Sequence, residues 1–176
     1  MSTDLALLIL RLSVGLILAA HGAQKLLGWF GGSGVAGTAK GFAGMGFRPA
    51  GFWAVLAGVS EFGGGLALAL GFLSPLGSLG VIAAMLMAII VAHWPRFFSS
   101  QRGMEFPLLL LIGGLAVGIS GPGSYSLDAL LGLALPEPIT LVGGLALVLI
   151  GVVIGLATRA PRAAATDQPA STQARS

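Results

Sequence analysis

Arg11, His21, Lys25, Glu61, His93 and Glu105 are the side chains of this chain best equipped for chemistry, and each interrupts or ends an apolar run long enough to cross a bilayer. A charge at that depth costs about 2.5–3.5 kcal/mol on insertion scales, so it persists only with a partner or a purpose. The residue types suit hydrogen bonding and proton transfer. Arginine, lysine and histidine can donate to a carbonyl or hydroxyl group, and the two glutamates can relay protons toward water. No metal site is expected. With no cysteine, the chain itself brings no disulfide, thiolate nucleophile or cysteine-held iron–sulfur cluster.

The elements that must position these residues follow from composition. The chain is 56% hydrophobic and only 9% charged, with a mean hydropathy of +0.97, against roughly one quarter charged in soluble domains. Too little polar surface exists to cover a soluble fold, so the lipid bilayer is the first partner. The 29 glycines suit membrane helices that pack backbone to backbone. The high isoelectric point, about 10.2, does not indicate a nucleic-acid partner, because the basic residues lie between the apolar runs as membrane topology requires.

Five runs approach or reach the ~20 residues that span the hydrocarbon core: 5–27, 51–72, 76–94, 104–120 and 139–157. The first is read as a retained span and not a signal peptide, since Asp4 precedes it and Arg11 breaks its apolar core. The expected fold class is an all-α membrane protein, a four-helix transmembrane bundle with a fifth, C-terminal transmembrane helix. In domain terms, 1–135 form the bundle, 136–157 the added helix, and 158–176 a polar, disordered cytoplasmic tail. Lys25, Lys40 and Arg48 sit in the first connection, Arg96 and Arg102 in the third, and Arg159, Arg162 and Arg175 in the tail. With five spans these basic segments share one side, which places the N-terminus outside and the C-terminus in the cytoplasm.

Two connections carry further signals. Gly32 to Gly37 matches G-x-G-x-x-G, but it follows a membrane helix with no strand before it, so a dinucleotide site is not expected. Val35 to Met45 reads as a short interfacial helix. The serines of the fourth connection, 121–131, predict a short external helix.

Helical spacing puts Arg11, Gly15, Leu18, Gly22 and Lys25 on one face of the first span, with His21 beside it. Glu61 lies near the middle of the antiparallel second span, aligned with Gly58 and Gly65. Depth counting at ~1.5 Å per residue predicts a buried Arg11–Glu61 ion pair. His21, Lys25, His93 and Glu105 gather at the cytoplasmic edge, as the floor of a cleft beneath that pair. Plainer roles compete with this one: Lys25 snorkelling to the interface, His93 as an interface residue beside Trp94, and Glu105 complementing a helix N-terminus. Gly151 and Gly155 form a helix-packing motif.

The segments Arg11-Leu-Ser-Val-Gly-Leu-Ile-Leu-Ala-Ala-His21-Gly-Ala-Gln-Lys25, Glu61-Phe-Gly-Gly-Gly-Leu-Ala-Leu-Ala-Leu-Gly71, Gly103-Met-Glu105-Phe-Pro and Gly121-Pro-Gly-Ser-Tyr-Ser-Leu-Asp128 resemble the DoxX family over roughly residues 5–133. That resemblance implies a small inner-membrane protein on a four-helix bundle, related to the membrane subunit of a thiosulfate:quinone oxidoreductase. The fifth span lies beyond the family core.

Three functions fit these features. One is a redox-associated membrane subunit that binds a quinone-like or amphipathic molecule in a polar intramembrane cleft. It would carry no intrinsic cofactor, and its electrons would come from a redox-enzyme partner. Any catalysis would be that of an oxidoreductase subunit. Another is a non-enzymatic scaffold or assembly factor, held together by a structural Arg11–Glu61 pair. The third is a small-molecule or proton-coupled transporter, for which no convincing inverted repeat is seen. A homo-oligomer is compatible with each.

Overall fold

The structure is a computed structural model that describes residues 2–136 and 138–160. The chain is built from helices: α1 (Ser2–Leu26), α2 (Gly34–Gly44), α3 (Ala50–Leu70), α4 (Leu76–Ala88), α5 (Glu105–Ser120), α6 (Leu127–Leu131) and α7 (Ile139–Ala157). A single π turn, Ile89–His93, extends α4, and the two together are as long as a membrane span. α1, α3, extended α4 and α7 are each long and apolar enough to cross a bilayer, and α5 is a shorter apolar helix. At ~1.5 Å per residue α5 spans about 24 Å, less than the ~30 Å of hydrocarbon. The five-span expectation therefore holds, with the fourth span the short one. The short helices at α2 and α6 also form where the sequence places them, and the Ser126 hydroxyl caps α6 by accepting from Ala129 N at 3.1 Å.

Small residues decide how the helices meet. Lipid is as apolar as leucine, so close backbone contact must replace the hydrophobic drive between helices. Gly15 lies against Gly65 and Ala69, Gly65 against Ala19, Gly22 against the Phe62 backbone, and Gly58 against Leu26. α1 and α3 are thereby zipped together in antiparallel fashion. Gly64 and Gly80 bring α3 to α4, and Gly113 and Gly114 admit Val14 and Val81 beside α5. The space at the centre is filled by Leu18, Leu68, Val81, Leu110 and Val117. Outward-facing Ile9, Leu16, Val59, Leu109 and Val153 are exposed, as lipid-facing residues are in an isolated bundle.

α7 packs outside α4. Gly144 faces Leu79, Gly155 faces Met87 and the Trp53 ring, and Leu141 reaches Gly118 on α5. The segment that follows differs from expectation. Thr158 to Ala160 are ordered and do not belong to a free tail. Ala160 N donates to Gly46 O at 2.9 Å, Arg159 Nε donates to Met45 O at 3.1 Å, and the guanidinium lies over the Phe47 ring at 5.5 Å. Main-chain pairing and a buried aromatic ring offset the ordering cost that composition alone had left unpaid. The rest of the expected tail, 161–176, lies outside the described residues, as does Glu137.

Candidate functional site

The α1–α3 register settles which charges meet. Facing pairs step forward on α1 as they step back on α3, from Gly15 with Ala69 to Leu26 with Gly58. Extending that register puts Lys25 beside Val59, within reach of Glu61, and Arg11 beside the turn after Gly71. The Lys25 ammonium and Glu61 Oε2 form the ion pair, with Glu61 buried and Lys25 partly buried. The expected Arg11–Glu61 pair does not form. The two residues are separated by roughly 18 Å along the helix axes at ~1.5 Å per residue. Depth counted from the ends of apolar runs lacks the resolution of a glycine-set register.

Arg11 instead closes the opposite end of the bundle. Its side chain is fully buried, and Nη2 donates to Tyr125 O at 2.5 Å. Asp128 lies close enough to interact electrostatically with it. The Asp128 carboxylate is occupied by the turn between α3 and α4, accepting from Leu73 N and Ser74 N at 2.8 Å each. Asp4 accepts from the amide and hydroxyl of Ser124, both at 2.9 Å. Together these contacts tie α1, the α3–α4 turn and the loop before α6 into one polar knot.

Lys25 and Glu61 border a cavity of about 760 Å³ enclosed by α3, α4, α7 and the chain that joins α2 to α3. Its walls are almost wholly apolar, from Phe47 and Trp53 at one end to Ala84, Met87 and Val148 along the sides. Ser60, His93 and Thr158 add the few further polar groups. A large apolar space with a few convergent polar atoms is the usual form of a small-molecule site. The π turn supplies Val91, Ala92 and His93 to the wall, and such turns recur at functional sites.

The other candidates divide. His93 borders the cavity, but its Nδ1 is bonded to Arg102 O at 2.8 Å. Glu105 turns back into the α4–α5 connection, accepting from Ser99 N at 2.8 Å. The His21 ring rests on Phe106 at 5.7 Å and interacts electrostatically with Glu61. Lys25, Glu61 and His93 thus border the cavity, His21 lies near Glu61 without lining it, and Arg11 and Glu105 stand apart from it. Sequence reasoning missed Trp53, Ser60 and the α7 residues as lining, because an apolar or small residue in a membrane span carries no signal of what it faces. It also did not single out Asp128, whose neighbours Arg11, Leu73 and Ser74 are remote from it in the chain.

Described residues that are almost wholly helical, with several segments able to cross a membrane and a buried ion pair at an apolar cavity, define a multi-pass membrane protein with a pocket among its helices. The DoxX family model matches residues 6–94, half of the chain. The chain is also 32% identical over 130 residues to inner membrane protein YqjF of Escherichia coli (strain K12), covering 73% of this chain and 93% of that protein. The chain therefore belongs to the DoxX family. No solved structure gives a significant match. Arg11, His21, Lys25, Glu61 and His93 lie inside the matched family region, whereas Glu105 and α7 lie outside it.

Proposed function

We propose that this inner-membrane protein is a redox-associated membrane subunit that binds a neutral, quinone-like amphiphile in the cavity beside Lys25 and Glu61. The observation that carries the reading is a paired ammonium and carboxylate on the wall of a long apolar cavity. The pair is neutral as a unit, so a charged headgroup would leave one member uncompensated at high cost. A headgroup that both accepts and donates hydrogen bonds suits it: Lys25 donates to a carbonyl, and Glu61 accepts from a hydroxyl. The apolar walls would take an alkyl or prenyl chain. Reducing a quinone requires two electrons and two protons. A partner redox protein would supply the electrons, and Glu61 with His21 would form the start of a proton path.

Binding is read most directly from Trp53, which borders the cavity. In a variant with Trp29→Phe and Trp94→Phe, the remaining tryptophan reports on occupancy. Decylubiquinone added to this protein in nanodiscs should quench its fluorescence saturably. Lys25→Met and Glu61→Gln should each weaken the saturable component at least tenfold. Equal binding by both variants would overturn the proposal.

The distribution of lysine and arginine supports an orientation with the N-terminus outside and Arg159 on the cytoplasmic side. Because the natural chain has no cysteine, single cysteines can test this without background. Ser124→Cys should react with a membrane-impermeant maleimide from the periplasmic side, and Ser99→Cys only after the inner membrane is opened. The reverse pattern would invert the assignment.

A further inference from the structure

Four large hydrophobic residues that line the cavity are themselves exposed: Phe52 and Leu56 on α3, and Leu147 and Ile154 on α7. They form facing edges of one seam. α7 leans on α4 and buries only Leu141, Val152 and Gly155 of its nineteen residues. At the seam α3 and α7 meet where the Trp53 ring rests on Gly155. One turn earlier, the α7 backbone stands clear, and a side chain built at Gly151 would meet nothing within 4 Å. Gly151 nevertheless borders the cavity. Its lack of a side chain leaves empty a volume that any larger residue would occupy.

We infer that the cavity opens sideways to the bilayer between α3 and α7, that it takes a single-chain amphiphile dissolved in the membrane, and that Gly151 leaves the room its chain occupies. The open edge is apolar on both sides, so it matches lipid and not water. The polar pair borders the cavity at Lys25 and Glu61, where the headgroup of such an amphiphile can reach it. Gly151 and Leu147 belong to a helix outside the matched family region, so this space is a feature of α7 and not of the family core. The Gly151–Gly155 motif is thereby divided: Gly155 docks α7, and Gly151 keeps the space open.

The inference rests on the cavity being a ligand site, but not on the ligand being a quinone, and two probes separate these points. The single-tryptophan protein in nanodiscs is titrated with 10-bromodecanol, whose bromine quenches tryptophan, and in parallel with decylubiquinone. Unbrominated decanol serves as the competitor that defines specific quenching. Decanol-reversible quenching by 10-bromodecanol is expected, with at least tenfold weaker binding in Gly151→Phe. A short analogue, 3-bromopropanol, should lose less than threefold, and unchanged melting of Gly151→Phe excludes misfolding as the cause. If 10-bromodecanol binds and decylubiquinone does not, the quinone reading fails and the portal stands. If Gly151→Phe binds 10-bromodecanol as the parent does, or if neither probe gives reversible quenching, the portal and the role of Gly151 are overturned.

Discussion

Lys25 pairs with Glu61 at a point where the buried carboxylate would be unstable as an unpaired charge. Lys25→Met leaves a buried carboxylate without its cation, a change that costs about 3–5 kcal/mol when a buried pair is broken from one side. The variant should melt at markedly lower temperature by fluorescence-detected size exclusion. Lys25→Met combined with Glu61→Met should recover most of that loss, because two apolar groups replace two charges. A double variant no more stable than the single would show that the pair contributes little to the fold. Gly71 presents the same economy at the other end of the bundle. Its φ is +62°, and a Cβ there would collide with the Arg11 guanidinium. Gly71→Ala should therefore destabilise by more than the ~1 kcal/mol that backbone conformation alone accounts for. Arg11→Met in the Gly71→Ala background should relieve part of the clash, as a double-mutant melting cycle would record.

The α1–α3 zipper is the element on which the site depends. It fixes the register that brings Lys25 to Glu61, and it does so through glycines that leave no room for a side chain. Gly22 abuts the Phe62 backbone, which cannot rotate away as a side chain could. Gly22→Leu should exceed the ~1–3 kcal/mol of ordinary overpacking and prevent a monodisperse bundle. Gly63→Leu, at a position with nothing within 4 Å, is the matched control and should behave as the parent. Equal profiles for the two in size exclusion would show that the helices do not meet as described. The polar knot of Arg11, Asp128 and Asp4 acts on the opposite end, where it braces the turns that set helix spacing. Arg11 thus serves the fold. The proposed binding at the cavity rests instead on Lys25 and Glu61.

At the scale of the molecule, a family core of helices carries a charged pair, and α7 closes a chamber beside it. Composition and apolar run length were sufficient to specify the membrane, the five spans and the short helices at α2 and α6, because the cost of unpaired backbone in lipid leaves helices as the form such runs take. The same reasoning marked the charges that matter, since each intramembrane ionisable group requires a partner. It could not choose the partners. Arg11 and Lys25 share a face of α1, and either could reach a glutamate on an antiparallel neighbour; the choice depends on a register set by the contacts of Gly15, Gly22 and Gly65 across two helices. The cavity was equally out of view. It exists because α7 docks through Gly144 and Gly155 while Arg159 and Ala160 fasten its end to Phe47 and Gly46. A sequence determines which groups cannot face lipid alone, for that is a local cost of transfer. Which of them meet, and around what space, is decided by tertiary packing, because those distances are set by backbones far apart in the chain.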